Sequence, residues 1–266
     1  MNNKAVVFDN SGTLIERYRA IKDIDNNKII THINSFDIID NLEAGALVVL
    51  QFNSACLKNL NSKMKIYDLL IEKNIKFDIS YSNCNLTDNK ILNILKNDSS
   101  TIKDISDCFN KLKEKIPNAD LCNGSALILD VANKKVAYTI TTAGTLFQDS
   151  ISTVEKLKDK NIDVFIASGD RAGAIKKLTK ILNINESHGF STVDTQGKAN
   201  VVNNLKEKGY KVMMVGDATN DVLAFDSADI SVLTIEQTGK VLENMEGKYD
   251  YCINSISEVL NLIKKF

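Results

Sequence analysis

From residue 149 onward, short apolar runs alternate with stretches of helical spacing, and no other feature limits the fold as much. The pattern predicts helix 149–160, strand 162–167, helix 172–183, strand 187–192, helix 198–208 and strand 211–215. It continues with helix 220–226, strand 229–233, helix 236–245, strand 249–253 and helix 255–265. Such alternation implies a doubly wound α/β fold, because parallel neighbours need a crossover helix and the helices then cover both sheet faces. Near the N-terminus, Ala5–Phe8 reads as one more strand, apolar throughout and so buried on both faces. It ends on Asp9, and Gly12 lets the chain turn away. Asp9 is therefore expected at the carboxyl end of a central strand, where open α/β sheets place ligands. A carboxylate there can act as nucleophile, base or metal ligand, or it can simply open a turn.

Three later stretches carry comparable residues. The apolar run Val164–Ala167 ends on Ser168-Gly169-Asp170-Arg171. Lys198 follows Gln196-Gly197 where a helical pattern begins. Lys211–Val215 ends on Gly216-Asp217-Ala218-Thr219-Asn220-Asp221. Each has an ordinary reading by position alone. Lys198 is a solvated lysine of a first helical turn, and Ser168 caps the helix starting near Ala172. Asp217 and Asp221 cap the helix after strand 211–215, although capping does not prevent metal binding. Asp170 and Arg171 read as a surface pair without a catalytic role, and His32 and His188 as structural residues.

Taken together, Asp, then Ser, then Lys, then Gly-Asp-x-x-Asn-Asp resembles the four motifs of the haloacid dehalogenase superfamily of phosphotransferases. The resemblance covers the start of the chain and residues 124–235, but not 20–120. Within it, Asp9-Asn10-Ser11-Gly12-Thr13-Leu14 is similar to the Asp-Lys-Thr-Gly-Thr-Leu phosphorylation motif of P-type ATPases. Ser168-Gly169-Asp170-Arg171 and Val215–Asp221 likewise resemble their Thr-Gly-Asp-Arg and Val-Gly-Asp-Gly-x-Asn-Asp.

The resemblance implies a core of residues 1–19 and 121–266 interrupted by an inserted mixed α/β cap, 20–120. It implies that Asp9 attacks phosphorus and becomes an aspartyl phosphate. Ser168 and Lys198 would assist, with Ser11 and Thr13 in the same catalytic set. Asn10, Gly169 and Asn220 would contact the substrate's phosphoryl group. Mg²⁺ would be held by Asp9, Asp217 and the Ser11 carbonyl, and Asp221 would hold metal-bound water or orient Lys198. Ser11 departs from the Asp that most phosphatases of the superfamily use as acid and base, and a hydroxyl performs neither task well near neutral pH.

The expected function is a soluble Mg²⁺-dependent phosphohydrolase that favours good leaving groups. The alternatives are a P-type ATPase-like ATP hydrolase that phosphorylates itself on Asp9, and a phosphoaspartate regulatory module that does not turn over. Asn10 replaces the pump lysine, and the pump cap's nucleotide motif is absent from 16–122.

The resemblance implies a small phosphorylated molecule as the partner. A net charge of -1 gives no electrostatic case for nucleic acid. The longest apolar runs, such as Ala46–Leu50, fall far short of the ~20 residues of a membrane span. The first strand begins by Ala5, so no signal peptide is expected, and the five cysteines are odd in number with no CxxC pair. Free thiols and a cytoplasmic location are expected; the oligomeric state is left open.

In the inserted stretch, the pattern predicts a hairpin about Asp25–Asn27, a strand 46–52 and a helix 56–72. A strand 75–80, helix 88–96 capped by Thr87, and helix 101–115 capped by Ser99 or Ser100 and stopping near Pro117 follow. Runs 126–131 and 136–141 read as a hairpin reopening the core.

Overall fold

The structure, a computed structural model, describes residues 3–31, 35–52, 54–116 and 121–266. His32 and Pro117 lie outside the described residues. In chain order the strands are β1 Asn3–Phe8, β2 Ile15–Asp23, β3 Lys28–Ile30, β4 Gly45–Leu50, β5 Phe77–Ser82, β6 Leu121–Asp130, β7 Lys135–Leu146, β8 Ile162–Ala167, β9 Gly189–Phe190, β10 Tyr210–Gly216, β11 Ile230–Thr234 and β12 Tyr251–Ile253. The α-helices are α1 Ser35–Asp40, α2 Ile66–Glu72, α3 Asp88–Asn97, α4 Ile102–Lys115, α5 Ser150–Asp159, α6 Ala172–Ile181, α7 Thr195–Glu207, α8 Val222–Ser227 and α9 Val259–Leu262. Among the described residues no helix is long and apolar enough to cross a membrane.

The chain divides into two compact units, residues 1–17 with 144–266, and residues 18–143. The first is built on a parallel sheet in the order β12-β11-β10-β1-β8-β9. Ala5, Val6, Val7 and Phe8 are all 0% exposed, as a central strand covered on both faces requires. From β1 the chain builds β8 and β9 on one side, then β10 to β12 on the other. The order therefore reverses beside β1, the place where such sheets open a ligand crevice. Phe8 is in register with Val215 and with Ile166, so the residues that follow these three strands emerge together at one sheet edge.

The second unit holds a sheet in the order β3-β2-β7-β6-β4-β5. Alternation explains its two faces. Ala46, Val48, Leu50, Leu127 and Leu129 pack with Ile66, Leu69, Ile91, Leu95 and Ile105 of the helices, whereas Leu47, Ala126 and Ile128 belong to a second cluster with Ile21, Ile39 and Ile140. The hairpin 126–141 belongs to this sheet and not to the core: β6 runs antiparallel to β4, with Gly45 opposite Asp130. The unit thus extends beyond the 20–120 expected for the insert.

Several helices differ from their sequence pattern. The expected helix 56–72 is broken into a 3-10 turn, Ser54–Asn59, and α2, because Asn61 accepts the Lys63 amide at 3.0 Å and Lys65 is extended. Thr101 caps α4, its amide donating to Asp104 Oδ2 at 2.8 Å, in place of Ser99 or Ser100. The helix 236–245 reduces to one 3-10 turn, Glu243–Met245, after Gly239 takes φ +67.

A buried lysine anchors α4 to the sheet. Lys22 is 3% exposed, and its Nζ lies 2.7 Å from both Asp104 and Asp107. Burial pushes both carboxyls up, but the Lys22 ammonium, helped by Thr101 at Asp104 and by Lys103 at Asp107, outweighs it and leaves each below the usual range. Burial lowers Lys22, and the two carboxylates more than offset this, so its net shift is upward. Lowered carboxyls contribute stability that is complete above their ordinary value of 3.8 and is lost as pH falls through the folded value. Lys22→Met should cost about 3 kcal/mol at neutral pH, by taking the buried ammonium from Asp104 and leaving Asp107 to the exposed Lys103. The gap to the parent protein in urea melts should narrow between pH 4 and 2. A gap that stays constant across that range would contradict the assignment.

Candidate active site

Asp9 leaves the end of β1, 4% exposed, with its amide donating to Val215 O at 2.9 Å. The loop then closes tightly: Leu14 N and Ile15 N both donate to Asn10 O at 2.9 Å, and Gly12 N donates to Ile15 O at 2.8 Å. Gly12 has φ +89, and a Cβ there would lie 2.0 Å from Asp217 Oδ2. Only glycine combines that backbone conformation with so close a carboxylate.

Helix α7 begins earlier than its apolar pattern suggests, because Asp194 caps it and accepts the Gly197 amide at 2.7 Å. That start puts Lys198 in the first turn, 1% exposed. Its Nζ donates to Asp9 Oδ1 and to Asp221 Oδ1, both at 2.6 Å. Burial alone would lower the lysine, and the two carboxylates outweigh it, so Lys198 titrates above its ordinary value. The reading of Lys198 as a solvated lysine is therefore replaced by a buried ion pair.

Asp221 is held from the other side. Its Oδ2 accepts the amides of Asp217 at 3.1 Å and Ala218 at 3.3 Å, closing the turn after β10. Gly216 leaves room for this: a Cβ there would lie 2.4 Å from Asp221 Oδ2. Asp9, Asp217 and Asp221 each offer a carboxylate oxygen, and the three atoms lie within 4.8 Å of one another. Burial, then the neighbouring Asp221, push Asp9 up to about 8 and Asp217 up to about 7. Three carboxylates face one ammonium here, and hard oxygen donors at this spacing suit a divalent cation. Thr13 is fully buried, and its Oγ1 has no partner among the described residues.

Ser168 follows β8 and is 3% exposed. Its hydroxyl donates to Asp170 Oδ2 at 3.0 Å and accepts the Asp170 amide at 3.1 Å. Asp170 is thus more than half of a surface pair. Its side chain is 20% exposed and also accepts Asn10 Nδ2 at 2.7 Å and Ser11 Oγ at 3.5 Å. Arg17, which no motif singles out, lies 3.9 Å from Asp170, and its charge pulls Asp217 down against the larger upward effects. The structure thus gathers Asp9, Asp217, Asp221 and Lys198 into one cluster, and Asn10, Ser11 and Ser168 around Asp170. Gly169 and Asn220 are exposed. His188 stacks on Phe165, 4.1 Å between centroids, as a structural residue.

Residues 3–229 match the haloacid dehalogenase-like hydrolase family. The chain is 37% identical over 262 residues to the "Soluble P-type ATPase-like phosphatase" of Methanocaldococcus jannaschii, covering 98% of this chain and 93% of that one. It is 31% identical over 145 residues to the "Probable copper-importing P-type ATPase A" of Enterococcus hirae, which is 51% of this chain but only 20% of that pump. A solved catalytic domain of the CPx-ATPase CopB-B aligns with 99% of this chain and 90% of its own at 18% identity and a TM-score of 0.48, a likeness too slight to carry an argument. With an acidic cluster at the strand ends and a match across most of its length, the chain belongs to the haloacid dehalogenase-like hydrolases.

Proposed function

We propose that this hydrolase is a Mg²⁺-dependent phosphohydrolase that works through a phosphoaspartate on Asp9. The observation that carries this reading is the buried Lys198 ammonium bonded at 2.6 Å to both Asp9 and Asp221, with Asp217 in the same cluster. An Asp9 carboxylate oxygen forms a bond to phosphorus as the bond from phosphorus to the leaving oxygen breaks, that oxygen keeping the electron pair. Water then attacks the same phosphorus, and the Asp9 carboxylate is released with phosphate. Lys198 supplies fixed positive charge beside the nucleophile, where such transfers run mainly on positioning and electrostatics. Ser168, Asn10 and the Gly169 amide offer donors to the phosphoryl oxygens.

Asp9, Asp217 and the Ser11 carbonyl would hold Mg²⁺, whose charge offsets the repulsion between these carboxylates and the incoming phosphoryl oxygens. Asp221 serves better as an orienting residue than as a ligand, since Lys198 and two amides already occupy its oxygens. The name of the Methanocaldococcus jannaschii relative supports a phosphatase, and the match to a copper pump favours ATP hydrolysis as the second reading. In this reading the substrate is a small phosphorylated molecule met in the cytoplasm.

Ser11 stands where an acid–base group would protonate the leaving oxygen, so substrates that leave unaided are favoured. Phosphate release from an aryl phosphate, acetyl phosphate and an alkyl phosphate, with Mg²⁺ and with chelator, tests this. The alkyl ester should be the poorest substrate, and all turnover should need the cation. Ser11→Asp should raise kcat/KM on the alkyl ester about 10²-fold. An alkyl ester hydrolysed as fast as the aryl phosphate by the parent protein would contradict the role given to position 11.

A further inference from the structure

Asp170 draws together donors from separate segments of the chain. Its Oδ2 accepts Asn10 Nδ2 at 2.7 Å, Ser168 Oγ at 3.0 Å and Ser11 Oγ at 3.5 Å, while Oδ1 lies 3.9 Å from the Arg17 guanidinium. Asn10 and Ser168 are 0% and 3% exposed, so these bonds are made largely out of water. They are also two of the donors that the phosphohydrolase reading assigns to the substrate. A serine hydroxyl has one proton, and a proton given to Asp170 is not given at the same moment to a phosphoryl oxygen. A carboxylate and a phosphoryl group are both anions and both acceptors. They compete for the same donors and repel each other.

We propose that Asp170 is an affinity-setting residue: an internal anion that holds the phosphate-binding donors until an incoming phosphoryl group takes them. The inference rests on the phosphohydrolase reading of the same site. The loop around it is pinned by its backbone. Ser168 N donates to Phe190 O at 2.9 Å, Thr192 N to Asp170 O at 2.9 Å and Val193 N to Ser168 O at 3.1 Å. Thr192 adopts φ +54 to make this closure, a conformation that β-branched residues avoid. These backbone bonds do not involve the Asp170 carboxylate, so a change of the side chain leaves them in place.

The test is calorimetric binding of inorganic phosphate, with Mg²⁺, to the parent protein, Asp170→Asn, Asp170→Ala, Ser168→Ala and the double variant Asp170→Asn/Ser168→Ala. Thermal melts of each accompany the titrations. Both substitutions at 170 should tighten phosphate binding at least about tenfold, the worth of one charge-assisted bond no longer opposed. Part of that gain should vanish when Ser168 is alanine, because one of the donors it releases is gone while Asn10 is still released. Unchanged or weaker binding in the folded variants, or no binding by any of them, overturns the proposal. A gain seen with asparagine alone reports an added donor, and a gain undiminished without Ser168 reports charge acting through space; either result overturns it. Asp170→Ala, which neither donates nor accepts, keeps the test decisive if one variant fails to fold. Failure of the underlying reading would show differently, as phosphate release by the parent protein that survives Asp9→Asn.

Discussion

Lys198→Ala should lower kcat about 10³-fold, the scale on which fixed charge at a reacting centre acts. The lysine is 1% exposed and bonded to two carboxylates, and among the described residues no other cation is paired with Asp9 or Asp221. Its removal leaves Asp9 and Asp221 buried against each other, with Asp217 beside them. Without divalent cation the variant should be destabilised by about 4 kcal/mol, as for other broken buried pairs. Added Mg²⁺ should recover part of that loss but little of the rate, since only Lys198 reaches Asp9 Oδ1 from α7. Lys198→Arg should not rescue activity, because the planar fork is larger than an ammonium and the site is closed around Nζ. Denaturant melts with chelator and with Mg²⁺, beside kcat on acetyl phosphate, measure both effects. A loss of less than tenfold would place Lys198 outside the chemistry.

Gly12→Ala should have a comparable effect by a different route. At φ +89 any side chain is strained, at about 1–3 kcal/mol. More seriously, the new Cβ would lie 2.0 Å from Asp217 Oδ2 and 2.5 Å from its Cγ, so the carboxylate or the nucleophile loop must move. The carboxylate is the softer of the two, because Gly12 N and its neighbours are locked by backbone bonds to Asn10 and Ile15. Displacement of Asp217 breaks the acidic cluster. Turnover should fall at least about 10²-fold, the usual result of misplacing a group by an ångström. The Mg²⁺ concentration for half-maximal activity should rise as well. Normal cation dependence with normal kcat in Gly12→Ala would mean that Asp217 is not used.

The cluster at the strand ends was legible because each apolar run stops abruptly at Asp9, Ser168 or Gly216-Asp217, and buried parallel strands carry their ligands there. Lys198 was legible only through its place in the motif order, since a lysine in a first helical turn is ordinary. Its burial follows from Asp194, which starts α7 three residues before the apolar spacing does. Asp170 and Arg17 were not legible as members of the site. The bond from Asn10 to Asp170 spans 160 residues, and no local pattern reports such a contact. The hairpin 126–141 was visible as a hairpin, but alternation does not say which of two sheets a hairpin joins; its register with β4 decides that. The broken stretches 56–72 and 236–245 had helical spacing, yet an Asn61 turn and Gly239 at φ +67 overrode it.

The central claim, a phosphoaspartate on Asp9, is tested most directly by acid-quenching the protein after brief mixing with Mg²⁺ and phosphorus-labelled acetyl phosphate, then mapping the label. The account predicts a hydroxylamine-sensitive label on the peptide carrying Asp9, formed only with the cation and absent from Asp9→Asn. Phosphate release that proceeds without such a label, or that persists in Asp9→Asn, would contradict it.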